Sequence, residues 1–77
     1  MNKSRRARIT EIQDRISDLI QDITELHDEE EEAYENLPES IQYSDRGDAM
    51  SEAADNLEEA AGLLEEASSY LDDAKGE

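Results

Sequence analysis

No cysteine, tryptophan or phenylalanine occurs in the 77 residues. Without cysteine there is no disulfide frame, no thiolate metal site and no thiol nucleophile. One histidine, His27, leaves no room for a histidine pair, and no glycine-rich stretch resembles a phosphate loop. A nucleophile with its base and an orienting group is therefore absent, and the chain reads as non-enzymatic. No apolar run approaches the roughly 20 residues of a membrane span, so no membrane partner is expected. The basic start Met1–Arg6 gives way to an amphipathic pattern with an acid every few residues. That is not a secretory signal, and a cytoplasmic protein is expected.

Basic residues are scarce, and their placement is informative. Residues 1–27 hold Lys3, Arg5, Arg6, Arg8 and Arg15 against Glu11, Asp14, Asp18, Asp22 and Glu25, which cancel. The net charge of −16 therefore lies in residues 28–77, where only Arg46 and Lys75 oppose the acids. So few cations in so acidic a chain argue against direct nucleic-acid binding, which rests on neutralising phosphates.

What the chain has in abundance is heptad order. Ile9, Ile12, Ile16, Leu19, Ile23 and Leu26 recur in steps of three and four, and after Glu30 the spacing resumes at Ala33 and Leu37. Ile20, His27 and Tyr34 form a flanking column. An apolar face this wide specifies a helix with more than one neighbour, predicted over about 5–36. Glu30 reads as a polar interruption that fixes register or oligomer state. Pro38 disfavours helical geometry at Leu37 and ends the helix. A tip over 37–47 follows, in which residues 38–42 can form one turn and Ser44 can cap the next helix.

The second helix, over about 48–75, carries Met50, Leu57, Leu64 and Leu71 in one column. Small residues fill two others, Ala53, Ala60, Ala67, Ala74 and Ala54, Ala61, Ser68. Leu63 and Tyr70 widen its face. The expected fold is all-α: one antiparallel coiled-coil hairpin spanning residues 1–77, dimerising into a four-helix bundle. Its core would comprise Ile9, Ile12, Ile16, Leu19, Ile20, Ile23, Leu26, His27, Tyr34, Leu57, Leu64 and Leu71. The expected register sets Ala33 beside Met50, Leu26 near Leu57, Leu19 near Leu64 and Ile12 near Leu71. It also sets Arg5, Arg8 and Arg15 alongside Glu65, Glu66, Asp72 and Asp73.

The middle of the chain, Glu32–Gly47, followed by Ala/Leu/Glu heptads, resembles small acidic helical-hairpin proteins of phages and low-GC Gram-positive bacteria. Asn36-Leu37-Pro38-Glu39-Ser40 and Ser44-Asp45-Arg46-Gly47 are the specific part. The resemblance implies a phage or mobile-element setting, hence a host cytoplasm, and brings no catalytic residue.

The acidic run Asp28–Glu32 fans around a helix and does not converge on a cation. His27 with Glu30 or Glu31 has a spacing found in di-iron bundles, but the second helix offers only Ala and Leu inward, so no metal or cofactor is expected. Three functions fit. The leading one is an inhibitor that binds a basic surface, such as a nucleic-acid-binding one, of a host or defence protein. It would use the acidic face Glu52, Asp55, Glu58, Glu59, Glu65, Glu66, Asp72 and Asp73, with Tyr43, Asp45 and Arg46 at the tip. The second is an oligomeric sponge for a small anionic nucleotide, held by arginines at subunit junctions. The third is a plain structural or assembly module.

Overall fold

The computed structural model describes residues 1–76. It contains helix α1 (Lys3–Glu35), a single-turn helix α2 (Glu39–Gln42) and helix α3 (Asp45–Lys75). The long helices pack side by side into a hairpin 58 Å long and 15 by 11 Å across its Cα trace. No helix is long and apolar enough to cross a membrane among the described residues.

Local chemistry sets the helix ends. Asn2 caps α1, its Oδ1 accepting the Arg5 N–H at 2.8 Å. At the far end the Asn36 and Leu37 amides donate to Glu32 and Tyr34 carbonyls, tightening the last turn before Pro38. Gln42 completes this end: its Nε2 donates to the Tyr34 and Glu35 carbonyls at 3.1 and 3.3 Å. Those carbonyls belong to the last turn of α1, which carries no basic side chain. Ser44 is the N-cap of α3, but its hydroxyl donates back to the Ile41 carbonyl and caps no amide. Asp45 and Asp48 supply the negative charge that the start of a helix favours.

The reversal uses no residue with positive φ among those described. It depends on a close approach instead. Gly47 is buried where the first turn of α3 lies on the end of α2. A Cβ at this position would sit 2.1 Å from the Gln42 carbonyl oxygen and 2.6 Å from that of Ile41.

Between the long helices the axial register is the expected one. Near the open end Gln13 donates to the Ser68 carbonyl at 3.1 Å and to Asp72 Oδ1 at 2.8 Å. Lys75 donates to Thr10 Oγ1 at 3.3 Å, and Arg6 Nε donates to the Lys75 carbonyl at 3.1 Å. Nearer the tip, His27 lies across from Leu57 and Ala61.

The rotation of α1 about its own axis differs from the expectation. Ile9, Gln13, Ile16, Ile20, Ile23, His27, Glu30 and Tyr34 are the positions buried or half-buried against α3. On α3 the matching set is Gly47, Met50, Ala54, Leu57, Ala61, Leu64, Ser68 and Leu71, with Ala53, Ala60, Ala74 and Lys75 half-buried at its edge. Ile12, Leu19 and Leu26, expected to meet Leu71, Leu64 and Leu57, are turned out of the hairpin and are 41, 50 and 53% exposed. Both columns keep heptad spacing with Ile9, Ile16 and Ile23, so periodicity alone serves either. The hairpin closes on the more polar alternative.

The same rotation removes an expected set of ion pairs. Among the described residues Arg5, Arg8 and Arg15 make no ion pair with acids of α3. Arg8 and Arg15 precede Ile12 and Leu19 by four residues each, on the outer side of that column, away from α3, and both are exposed. Gln13 and Lys75 bridge the helices in their place.

The core that results is thin. Among the described residues Ile9 and Ala54 are the buried hydrophobic side chains, still 9 and 8% exposed. A two-layer hairpin cannot enclose more, and chains of this size are marginal without a further source of burial.

Candidate interaction site

The two lateral faces of the hairpin differ in chemistry. On one, acids from both helices border open grooves. Thr24, His27 and Asp28 of α1 face Leu57, Glu58, Ala61 and Glu65 of α3 around a cavity of about 430 Å³. Toward the tip, His27, Glu31, Tyr34 and Glu35 face Ser51, Asp55 and Glu58 around one of about 250 Å³. Of the eight acids expected to form the partner-binding face, Asp55, Glu58 and Glu65 are thus brought together. The sequence reading missed the contribution of α1, namely Asp28, Glu31 and Glu35, which shares these grooves. Helical spacing could have found it, because Glu31 and Glu35 recur at i,i+4 beside the His27–Tyr34 column.

The remaining acids divide. Glu52, Glu59, Glu66 and Asp73 recur every seven residues on an exposed ridge of α3. Asp72 is engaged within the hairpin, receiving Gln13 Nε2 and lying 3.6 Å from Lys75 Nζ. At the tip, Tyr43 is 79% exposed, and Asp45 and Arg46 are exposed beside it. Arg5 and Arg8 line a shallow depression of about 230 Å³ with Met1, Ile9 and Ile12. No group of three or more His, Cys, Asp or Glu among the described residues is arranged to hold a metal ion.

His27 is the titratable group most affected by this surface. Its Nδ1 is 3.1 Å from Asp28 Oδ1, and its Nε2 is 3.3 Å from Glu31 Oε2. The hydrogen bond to Asp28 raises its pKa above the ordinary 6.5, with partial burial opposing and the charges of Glu31, Asp28 and Glu58 adding to the rise. A pKa raised in the fold contributes stability that is fully present below 6.5 and is lost as pH climbs through the folded value. Thermal midpoints should therefore fall between about pH 6 and about pH 8, where the carboxylates stay ionised. His27→Gln should flatten that fall, and an equal slope in both proteins would contradict the assignment.

The other lateral face is uncharged along its centre, with the charged column Arg8, Arg15, Asp22 and Glu29 at its α1 edge. Beside Ile12, Leu19 and Leu26 lie Ala53, Ala60, Ala67 and Ala74 of α3, and beyond these Leu63 and Tyr70, 57 and 67% exposed. None of the ten acids between Asp45 and Asp73 falls in these α3 columns.

No protein-family model, curated protein or solved structure matches the chain.

Proposed function

We propose that the protein is a non-enzymatic interaction module. Two hairpins join into a four-helix bundle through the uncharged face, and the acidic faces bind a basic surface on another protein. If that surface normally holds DNA, the bundle acts as a nucleic-acid mimic. A phage-encoded inhibitor of a host or defence protein, acting in the host cytoplasm, is the setting in which such a mimic is useful. The Asn36–Ser40 and Ser44–Gly47 motifs point the same way.

The observation that supports the reading is charge density. Two chains of −16 each, side by side along 58 Å, place 32 net charges at about one per 1.8 Å. Duplex DNA carries one per about 1.7 Å of axis. The acids also sit on both helices of one face, so the charge forms a surface and not a single ridge. High net charge alone would keep a small bundle in solution, so the experiment must separate binding from solubility.

Immobilised protein is presented with host lysate at low and at high salt, beside the variant Glu58→Lys with Glu65→Lys. The mimic reading expects a basic protein that is captured at low salt, released as salt rises, displaced by duplex DNA, and lost to the variant. Capture that ignores salt and the variant, or an absence of capture, rejects it.

A further inference from the structure

The hairpin leaves Ile12, Leu19, Leu26, Leu63 and Tyr70 of this face exposed, and the chemistry of the face singles out its occupant. We propose that a second copy of this chain covers it with the two tips at opposite ends, so that α1 packs antiparallel on α1 with Leu19 at the two-fold axis. This rests on the dimer proposed above and goes further by specifying its arrangement.

The size is appropriate. A face 58 Å long and about 15 Å wide is comparable to the roughly 800 Å² per partner that stable interfaces bury. Its composition suits a copy of itself, because a basic or acidic partner would find no charge along the α3 alanine columns.

Two symmetric arrangements bring the face onto itself. An axis parallel to the helices sets both tips at one end and lays α1 on the α3 of the second copy. The Asp28–Glu32 runs of both chains then crowd together, and Arg5 and Arg8 of both chains gather at the far end. An axis across the helices opposes the tips and lays α1 on α1. Ile12 is then level with Leu26 of the second copy, and Leu19 meets its own equivalent.

Charge selects between the two. Arg8, Arg15, Asp22 and Glu29 form one column flanking Ile12, Leu19 and Leu26, seven residues apart. In an antiparallel isologous pair this column meets itself read backwards. Arg8 comes beside Glu29 of the second copy and Arg15 beside Asp22, and symmetry doubles both pairs. Within the hairpin neither arginine has an ion-pair partner among the described residues. Opposed tips supply these partners from α1 itself and spread the acidic tips along the bundle, whereas tips at one end crowd the acidic runs together.

The cysteine-free chain makes the test direct. Leu19→Cys is oxidised gently, alone and mixed with Ala60→Cys or Ala67→Cys, with solution mass measured in parallel. The arrangement expects Leu19→Cys to cross-link to itself, since a disulfide needs Cβ atoms about 4 Å apart. A dimeric mass with only mixed cross-links overturns the arrangement and leaves the dimer standing. A single-hairpin mass at every concentration overturns both. As a second readout, Arg8→Glu with Arg15→Glu should weaken the dimer about tenfold at low salt, and adding Asp22→Arg with Glu29→Arg should restore it. Further weakening in the fourfold variant contradicts the pairing.

Discussion

Replacing Leu19 and Leu26 together by glutamate is expected to abolish the dimer and, at micromolar concentration, most of the helical signal with it. In an isolated hairpin the two side chains are 50 and 53% exposed, and substitutions at such positions usually change stability by no more than about 0.5 kcal/mol each. In the proposed bundle both are buried. Each leucine then forfeits about 1.5–3 kcal/mol of apolar burial, and each introduced carboxylate is brought into an apolar seam. The two losses together rival the whole stability of a small domain, about 5–15 kcal/mol. Circular dichroism melts and sedimentation of the variant read the outcome. A folded variant with an unchanged melting point would show that the stripe lies in water and covers nothing.

The second large effect is at the tip. Gly47→Ala is expected to cost about 1–3 kcal/mol, the usual range for forcing a methyl into a filled space. The obstruction is backbone: the Gln42 carbonyl carbon and oxygen lie 2.5 and 2.1 Å from the position the Cβ must take. These atoms cannot rotate aside as a side chain does. Either α2 separates from α3 or the Gln42 bonds to the end of α1 are lost. Gly62→Ala is the internal control, because nothing lies within 4 Å of a Cβ there. On an exposed helical turn that change should stabilise by about 0.5–1 kcal/mol through helix propensity alone. Opposite signs at two glycines of one helix separate packing from propensity, and equal signs would contradict the close approach at Gly47. Denaturant midpoints of the two variants provide the measurement.

Much of this fold is written in local sequence. Leu37-Pro38 ends the first helix, Ser44 opens the last one, and the matching apolar layers set the axial register that brings residue 26 level with Leu57 and residue 12 level with Leu71. Which side of α1 turns inward is not written there. Ile9, Ile16 and Ile23 belong equally to a seam completed by Ile12, Leu19 and Leu26 or to one completed by Gln13, Ile20, His27 and Tyr34. Met50, Leu57 and Leu64 stand in the same relation to two columns of small residues. Only three-dimensional packing decides, and it gives the mixed polar seam to the hairpin. Leaving the purely aliphatic column outside would be a poor use of burial for a solitary chain. It is coherent for one whose second layer comes from another copy.

The site was legible to a similar degree. The acids of α3 stand out in the sequence as a charged helix, but their meeting with Asp28, Glu31 and Glu35 depends on the rotation of α1. The internal engagement of Asp72 required knowing that Gln13 faces inward. Gln42 as a cap for α1 left no local signal, since a glutamine seven residues beyond a helix end has no preferred role. Gly47 showed as a glycine near a turn, but its reason is a carbonyl five residues earlier in the chain, not its own backbone angles.

The central claim is that the hairpin is half of a folded unit. Sedimentation equilibrium in physiological salt, with helicity followed across the same concentrations, tests it most directly. A helical species of twice the 8.7 kDa chain mass is expected, with mass and helicity falling together on dilution. A fully helical species of 8.7 kDa at every concentration would contradict it.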